Sequence, residues 1–166
     1  MKFFKRVLLS EATYSLIIFM GVVFSAISIY MLIDQGQFLQ NIRTIPPGNV
    51  NWIAIFLNNL VVASIIIVSG VLHQKFPYVT IAIVAIRFVV PLLISIATYS
   101  WVSIVTQLMP FCWLEILAYC LAASIGTKLK KIKDIQKLIL VVCACLTLLL
   151  LICGALVETM VINHEN

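Results

Sequence analysis

Charged side chains are scarce in this chain. Only 10% of its 166 residues are Asp, Glu, Lys or Arg, whereas 63% are hydrophobic. A soluble domain is about one quarter charged and about half apolar. The chain therefore has too few polar residues to cover a surface that faces water. The composition excludes a soluble globular protein and predicts an all-α, polytopic integral membrane protein.

Glycine, proline and loop cysteines are also few. Six glycines and five prolines are too few for a fibrous or low-complexity chain. The five cysteines are an odd number, and all of them fall inside apolar runs, so a disulfide framework is not expected. They are predicted to be small packing residues, and no metal site is predicted.

Motifs for known chemistry are missing as well. The chain has no glycine loop for phosphate, no H-E-x-x-H and no G-x-S-x-G. The polar loops are too short for a nucleotide-binding domain, and no cofactor is expected. The net charge of +5 comes from basic residues between apolar runs. We therefore expect contact with a lipid bilayer and none with nucleic acid.

What the chain does contain is a series of apolar runs of membrane-spanning length. They predict one integral membrane domain over 1–166 with five transmembrane helices, at 13–33, 52–72, 78–98, 111–127 and 138–158. Residues 99–110 are predicted to form a short interfacial or re-entrant segment. The first run is interpreted as a retained span, because it is long and lacks a clear signal-peptide cleavage site.

The basic residues predict the orientation in the membrane. With the N-terminus in the cytoplasm, nine of the eleven basic residues lie inside, so the positive-inside rule predicts an N-in, C-out topology. Five of the nine form a basic loop between the last two spans: Lys128, Lys130, Lys131, Lys133 and Lys137. This loop is interpreted as a topology determinant, or as a docking surface for an anionic headgroup or an acidic partner.

Polar residues inside the spans are the candidate functional site, since ionisable groups are costly there. The candidates are Asn58, Asn59, Arg87, Glu115 and Glu158. All but Arg87 are expected in the outer half of the membrane, and Arg87 near its middle. We expect Arg87 to pair with Glu115. Two interpretations stay open: a pocket for a substrate or ion, and a buried polar cluster that fixes helix packing or binds a partner.

Small residues accompany this cluster. Glu115, Ala118, Ala122 and Gly126 lie roughly on one helical face, three or four residues apart. Small side chains at this spacing allow another helix to approach closely. The fourth span is therefore predicted to be central in the bundle.

Short motifs in these spans resemble the stage II sporulation protein M family. They are Asn58-Asn-Leu-Val-Val-Ala63 with Ser69-Gly70, Pro110-x4-Glu115 with the small residues up to Gly126, and Val157-Glu158-Thr-Met. The resemblance covers about residues 55–160. The chain departs from the family at Phe111 and Leu117, where a histidine and a proline are usual, and it lacks the Thr-Pro that commonly follows the last glutamate.

The resemblance implies a function in an envelope assembly. Sporulation members are membrane anchors that gather peptidoglycan-degrading partners, and the compact form here is similar to small members associated with circular bacteriocin production in Gram-positive bacteria. We expect a non-enzymatic component of the bacterial cytoplasmic membrane, acting in bacteriocin maturation and secretion or a related assembly. Expected partners are proteins such as an ATP-binding-cassette transporter subunit, and an apolar peptide is the candidate cargo.

Three alternatives remain. The chain could be an intramembrane enzyme that uses Glu115 and Arg87 for leader removal or cyclisation of an apolar peptide, because a carboxyl group held away from water can act as an acid or base. It could also be a bacteriocin immunity protein, or a sporulation-type anchor for peptidoglycan hydrolases.

Overall fold

The chain folds as a bundle of helices in a computed structural model, which describes residues 2–33, 51–98, 109–129 and 134–164. Over these ranges the chain forms five α-helices and no strand. They are α1 (Lys2–Ile33), α2 (Trp52–Leu72), α3 (Phe76–Thr98), α4 (Met109–Lys128) and α5 (Asp134–His164). The all-α prediction is confirmed.

Four of the helices are long and apolar enough to cross a membrane. These segments are Ser10–Ile29, Trp52–Leu72, Phe111–Lys128 and Leu140–Val161, and α3 contributes a shorter apolar stretch, Phe76–Val89. The chain is therefore a multi-pass membrane protein by length and composition. The predicted segment 99–110 lies almost wholly outside the described residues, which resume at Met109.

The helix boundaries differ from the predicted spans mainly at α1 and α5. Helix α1 begins at Lys2 instead of residue 13, and α5 covers Asp134–His164 instead of 138–158. Lys, Arg and Glu are good helix formers, so a helix continues through residues that are too polar for lipid. Hydropathy marks the apolar part of such a helix and misses its polar ends.

The connection between α2 and α3 is short. Asn51 caps the start of α2, where its side-chain oxygen accepts a hydrogen bond from the backbone N–H of Ile53 at 3.0 Å. At the other end, His73 is extended and its N–H bonds the Ser69 carbonyl oxygen at 3.3 Å. Pro77 lies in the first turn of α3, where a proline costs no helical hydrogen bond. The two helices are thus antiparallel neighbours.

Helix α4 occupies the centre of the bundle. Across Phe111–Lys128, 67% of the residues are buried, against 17–28% in the other three apolar segments. Ala118, Ala122 and Ala123 of α4 are completely buried, and α4 contacts all four other helices. This confirms the central position predicted from its small residues.

Helices α2 and α4 run parallel with a constant register. Asn59 faces Glu115, a difference of 56 in residue number, and Gly70 faces Gly126 with the same difference. The two helices therefore stay in contact over about three turns. The glycine pair closes the interface at one end, and the polar pair lies at the other.

Candidate functional site: a buried polar cluster

The centre of the polar cluster is Glu115. It lies in the second turn of α4 with only 5% of its surface exposed, opposite Asn59 of α2, which is 6% exposed. The Asn59 Nδ2 group donates a hydrogen bond to Glu115 Oε1. A buried carboxyl group is costly unless it is hydrogen-bonded. The bond therefore ties the two helices together through a group that neither helix could bury alone.

Asn59 is the bridge of the cluster. Its side-chain oxygen accepts a hydrogen bond from the Tyr119 hydroxyl at 3.0 Å and one from Asn58 Nδ2 at 3.3 Å. Tyr119 is one turn beyond Glu115 on α4, so both residues face α2. Because the Asn59 oxygen accepts from these groups, its NH₂ group is directed at the carboxyl group of Glu115. Tyr119 is not among the residues predicted from the sequence, although its i+4 spacing from Glu115 places it on the same helical face.

Helix α5 completes the site from the other side. A Cβ atom at Gly154 would lie 3.3 Å from Glu115 Cγ and 3.6 Å from Leu114 Cβ, so α5 packs directly on the Glu115 side chain. Glu158 follows one turn later and is half-buried. Residues four apart share one face of a helix, so Glu158 lies on the face of α5 that packs on Glu115 through Gly154. The structure thus brings four of the five predicted residues, Asn58, Asn59, Glu115 and Glu158, to one region.

The predicted ion pair between Arg87 and Glu115 is not formed. Both residues are described, yet no ion pair joins them, and the Arg87 side chain is exposed on α3. Its neighbour Phe88 packs inward, with its ring centroid 5.5 Å from that of Phe19 and 6.3 Å from that of Tyr119. Successive residues point about 100° apart on a helix, so Arg87 lies beside the inward-facing side of α3 and not on it. Its charge still lies within electrostatic range of Tyr119.

A second polar junction lies near the opposite end of the bundle. Lys128 Nζ and Glu11 Oε1 form an ion pair at 2.6 Å, and the Tyr78 hydroxyl donates a hydrogen bond to Glu11 Oε2. The junction joins α1, α3 and α4 and was not predicted. It corrects the assignment of Lys128 to the basic loop, because Lys128 is the last residue of α4 and is already paired.

The other basic residues of the predicted loop are not placed in a site. Lys130, Lys131 and Lys133 lie outside the described residues, and Lys137 belongs to the first part of α5. The docking role of this loop stays a prediction.

The chemistry available to the cluster is limited. Over the described ranges, no group of three His, Cys, Asp or Glu side chains could hold a metal ion. Catalysis by a nucleophile needs that group within hydrogen-bond reach of its base. Within the same residues the Tyr119 hydroxyl donates to Asn59, and the only side chain that bonds Glu115 is the Asn59 amide. The arrangement is that of a helix-joining hydrogen-bond network.

Comparison with known proteins finds no relative of this chain. No family model, curated protein or solved structure matches the chain. The resemblance to the stage II sporulation protein M family stays a prediction that rests on the short motifs alone.

Proposed function

We propose that this chain is a non-enzymatic, multi-pass membrane component that acts through partner proteins. Following the resemblance, its setting is a bacteriocin maturation and secretion assembly, or a related envelope assembly, in the bacterial cytoplasmic membrane. The observation that supports a non-enzymatic role is the hydrogen bond from Asn59 to Glu115. It engages the buried carboxyl group in joining helices instead of presenting it to a nucleophile.

The surroundings of this bond support the same proposal. Glu115 is enclosed by α2 on one side and by Gly154 of α5 on the other. A general acid or base must reach the atom whose proton it transfers. An enclosed carboxyl group at a three-helix interface is better suited to fixing the bundle than to turning over a substrate. A bundle with many apolar side chains on its exterior suits a partner that binds from within the membrane.

An energy source for transport would have to come from a partner. An ATP-binding-cassette subunit fits this need, an apolar peptide fits as its cargo, and the lysine-rich stretch 128–137 offers positive charge for an acidic partner surface. Of these lysines, Lys128 is engaged with Glu11. The remaining ones are the residues to vary in a docking experiment.

The direct test is a reaction with the purified chain. The detergent-solubilised protein is incubated with an apolar precursor peptide, and the peptide is followed by mass spectrometry. We expect no cleavage and no ligation, together with co-purification of a membrane partner from the producing cell. A product that the Glu115→Gln variant fails to make would overturn the proposal and favour an intramembrane enzyme.

A separate test addresses self-protection. The chain is expressed alone in a strain that is sensitive to the bacteriocin of the producing cell, and growth is compared with that of an empty-vector strain. The proposed function predicts equal sensitivity. Protection by the chain alone would contradict it and indicate an immunity protein.

A further inference from the structure

Arg87 occupies the middle of α3. It lies eleven positions after Phe76 and eleven positions before Thr98, the two ends of the helix. At about 1.5 Å per residue, Arg87 is roughly 16 Å from either end. Its side chain is exposed, and so are Val79, Ile83 and Ile86 on the same side of the helix. We call these four residues the Arg87 face.

No side chain that the structure describes neutralises the positive charge of Arg87. No described side chain forms an ion pair with it. Glu11 is engaged by Lys128, and Glu115 accepts its hydrogen bond from Asn59. Glu158 is half-buried in α5 beside Glu115, and it also forms no ion pair with Arg87. The acids that the structure describes thus leave the guanidinium group unpaired.

A charge in this position requires an explanation. Charged residues inside spans almost always face the bundle interior or a partner group, because lipid solvates them poorly. An arginine near a helix end can extend its charge to the headgroup region. Arg87 is equally far from both ends of α3, so its side chain is in the least favourable position to extend its charge to a headgroup region.

We propose that the Arg87 face is the docking site for a transmembrane helix of a partner protein that carries an Asp or Glu at mid-span. A carboxylate opposite Arg87 would form a charge-assisted, bidentate pair. The exposed Val79, Ile83 and Ile86 supply the apolar contacts that flank it. The proposal rests on the proposed function, because it presumes a partner, and it identifies where that partner binds.

A second copy of this chain fits the face less well. Among the acids whose side chains are described, Glu11 and Glu115 are engaged. Glu158 lies six positions before the end of α5 at His164, whereas Arg87 lies eleven positions from either end of α3. A lipid phosphate also lies at the wrong depth for a residue in the middle of a helix. Charge and depth together favour a different protein with its acid near the centre of a span.

The experiment combines cross-linking with charge exchange in the producing cell. A photoreactive amino acid replaces Ile83 on the Arg87 face or, as the matched control, Val68, which is similarly exposed on α2. Proteins linked through position 83 are identified by mass spectrometry. We expect a membrane protein with a mid-span Asp or Glu, at a yield that Val68 does not match.

Charge exchange then tests the pair itself. Arg87→Glu should lower the cross-linking yield at least about tenfold, since breaking a buried ion pair leaves an unpaired charge. Changing the partner's acid to Arg in the same cell should restore the yield, and Arg87→Lys should retain most of it. Arg87→Leu serves as the folding control and should purify in the same amount as the unaltered chain.

Several outcomes would overturn the inference. Position 83 could link only to lipid or to a second copy of the chain, or Arg87→Glu could leave the yield unchanged. If a partner still co-purifies in those cases, the proposed function survives and only the docking site is wrong. If the purified chain converts the precursor peptide by itself, the proposed function fails whatever the behaviour of Arg87.

Discussion

Gly70 of α2 and Gly126 of α4 are in backbone-to-backbone contact. A Cβ atom added at Gly70 would overlap the Gly126 carbonyl group and lie 2.8 Å from its Cα. Added at Gly126, it would lie 3.0 Å from the carbonyl oxygens of Ile66 and Ile67 and 3.0 Å from Pro77 Cγ. Small residues are the usual means of such close approach between transmembrane helices. This contact sets the register that brings Asn59 opposite Glu115.

Substituting these glycines should destabilise the bundle in a defined order. Gly70→Ala should reduce the free energy of unfolding by about 1–3 kcal/mol or more, because the new methyl group must push two backbones apart. Gly126→Ala should cost less, since its contacts are longer. Gly21→Ala is the matched control, because a Cβ there meets nothing within 4 Å. Unfolding in mixed micelles measures all three, and equal stabilities would contradict the contact.

Substitutions at Asn59 and Glu115 should be strongly coupled in their effects on the free energy of unfolding. Asn59→Leu leaves the buried carboxyl group without its partner and should cost about 1–3 kcal/mol, or more if the group is charged. Glu115→Gln keeps an oxygen that can accept from Asn59 and should cost less than Glu115→Leu. In a double-mutant cycle, the two leucine changes should show a coupling of about 0.5–3 kcal/mol.

The control for this cycle is Asn58→Leu. Asn58 is exposed and only donates to Asn59 at 3.3 Å, so its loss should cost little. A coupling energy between Asn58 and Glu115 as large as that between Asn59 and Glu115 would contradict the hydrogen bond from the Asn59 amide to Glu115.

Arg87 and Glu115 should behave independently in folding. Their side chains form no ion pair, so the effects of Arg87→Leu and Glu115→Leu on the free energy of unfolding should add within about 0.5 kcal/mol. Arg87→Leu alone should leave the stability unchanged or raise it slightly, because it removes an exposed charge from an apolar face. A double variant milder than either single variant would restore the ion pair that the sequence predicted.

The polar junction of Glu11, Tyr78 and Lys128 should contribute modestly to the free energy of unfolding. Tyr78→Phe removes one hydrogen bond to Glu11 and should cost about 0.5–1.5 kcal/mol. Lys128→Ala should cost at most about 1 kcal/mol, since the side chains of the ion pair are 25% and 18% exposed and water screens them. Lys75 is exposed on the neighbouring turn, so Lys75→Ala is the control and should leave the free energy of unfolding unchanged. A Tyr78→Phe variant as stable as the control would contradict the hydrogen bond.

The sequence was informative about depth and helix position. Length and hydropathy located α2 at the residues observed, and the small residues from Glu115 to Gly126 predicted that α4 is central in the bundle. The predicted topology also places Lys128 at one end of the bundle and Asn59, Glu115 and Glu158 at the other. Which end faces the cytoplasm stays a prediction.

The sequence did not predict how each helix is rotated about its own axis. Arg87 and Phe88 are adjacent, and hydropathy does not say which of them turns inward; the packing of Phe88 between Phe19 and Tyr119 decides it. The partners of Lys128 were missed for a similar reason. Its ion pair spans 117 residues, and only the fold brings Glu11 to it.

The contact between Asn59 of α2 and Glu115 of α4 is tested by a distance measurement in native membranes. In a chain whose five cysteines are replaced by alanine, Asn59→Cys and Glu115→Cys are combined and treated with a short bifunctional thiol reagent. The control pairs Glu115→Cys with Leu57→Cys, which is exposed near the same depth on α2. We expect an intramolecular link for the 59/115 pair, seen by mass spectrometry as one bridging reagent, and little linkage for the 57/115 pair. Equal linkage of both pairs, or linkage of the 57/115 pair alone, would contradict the contact.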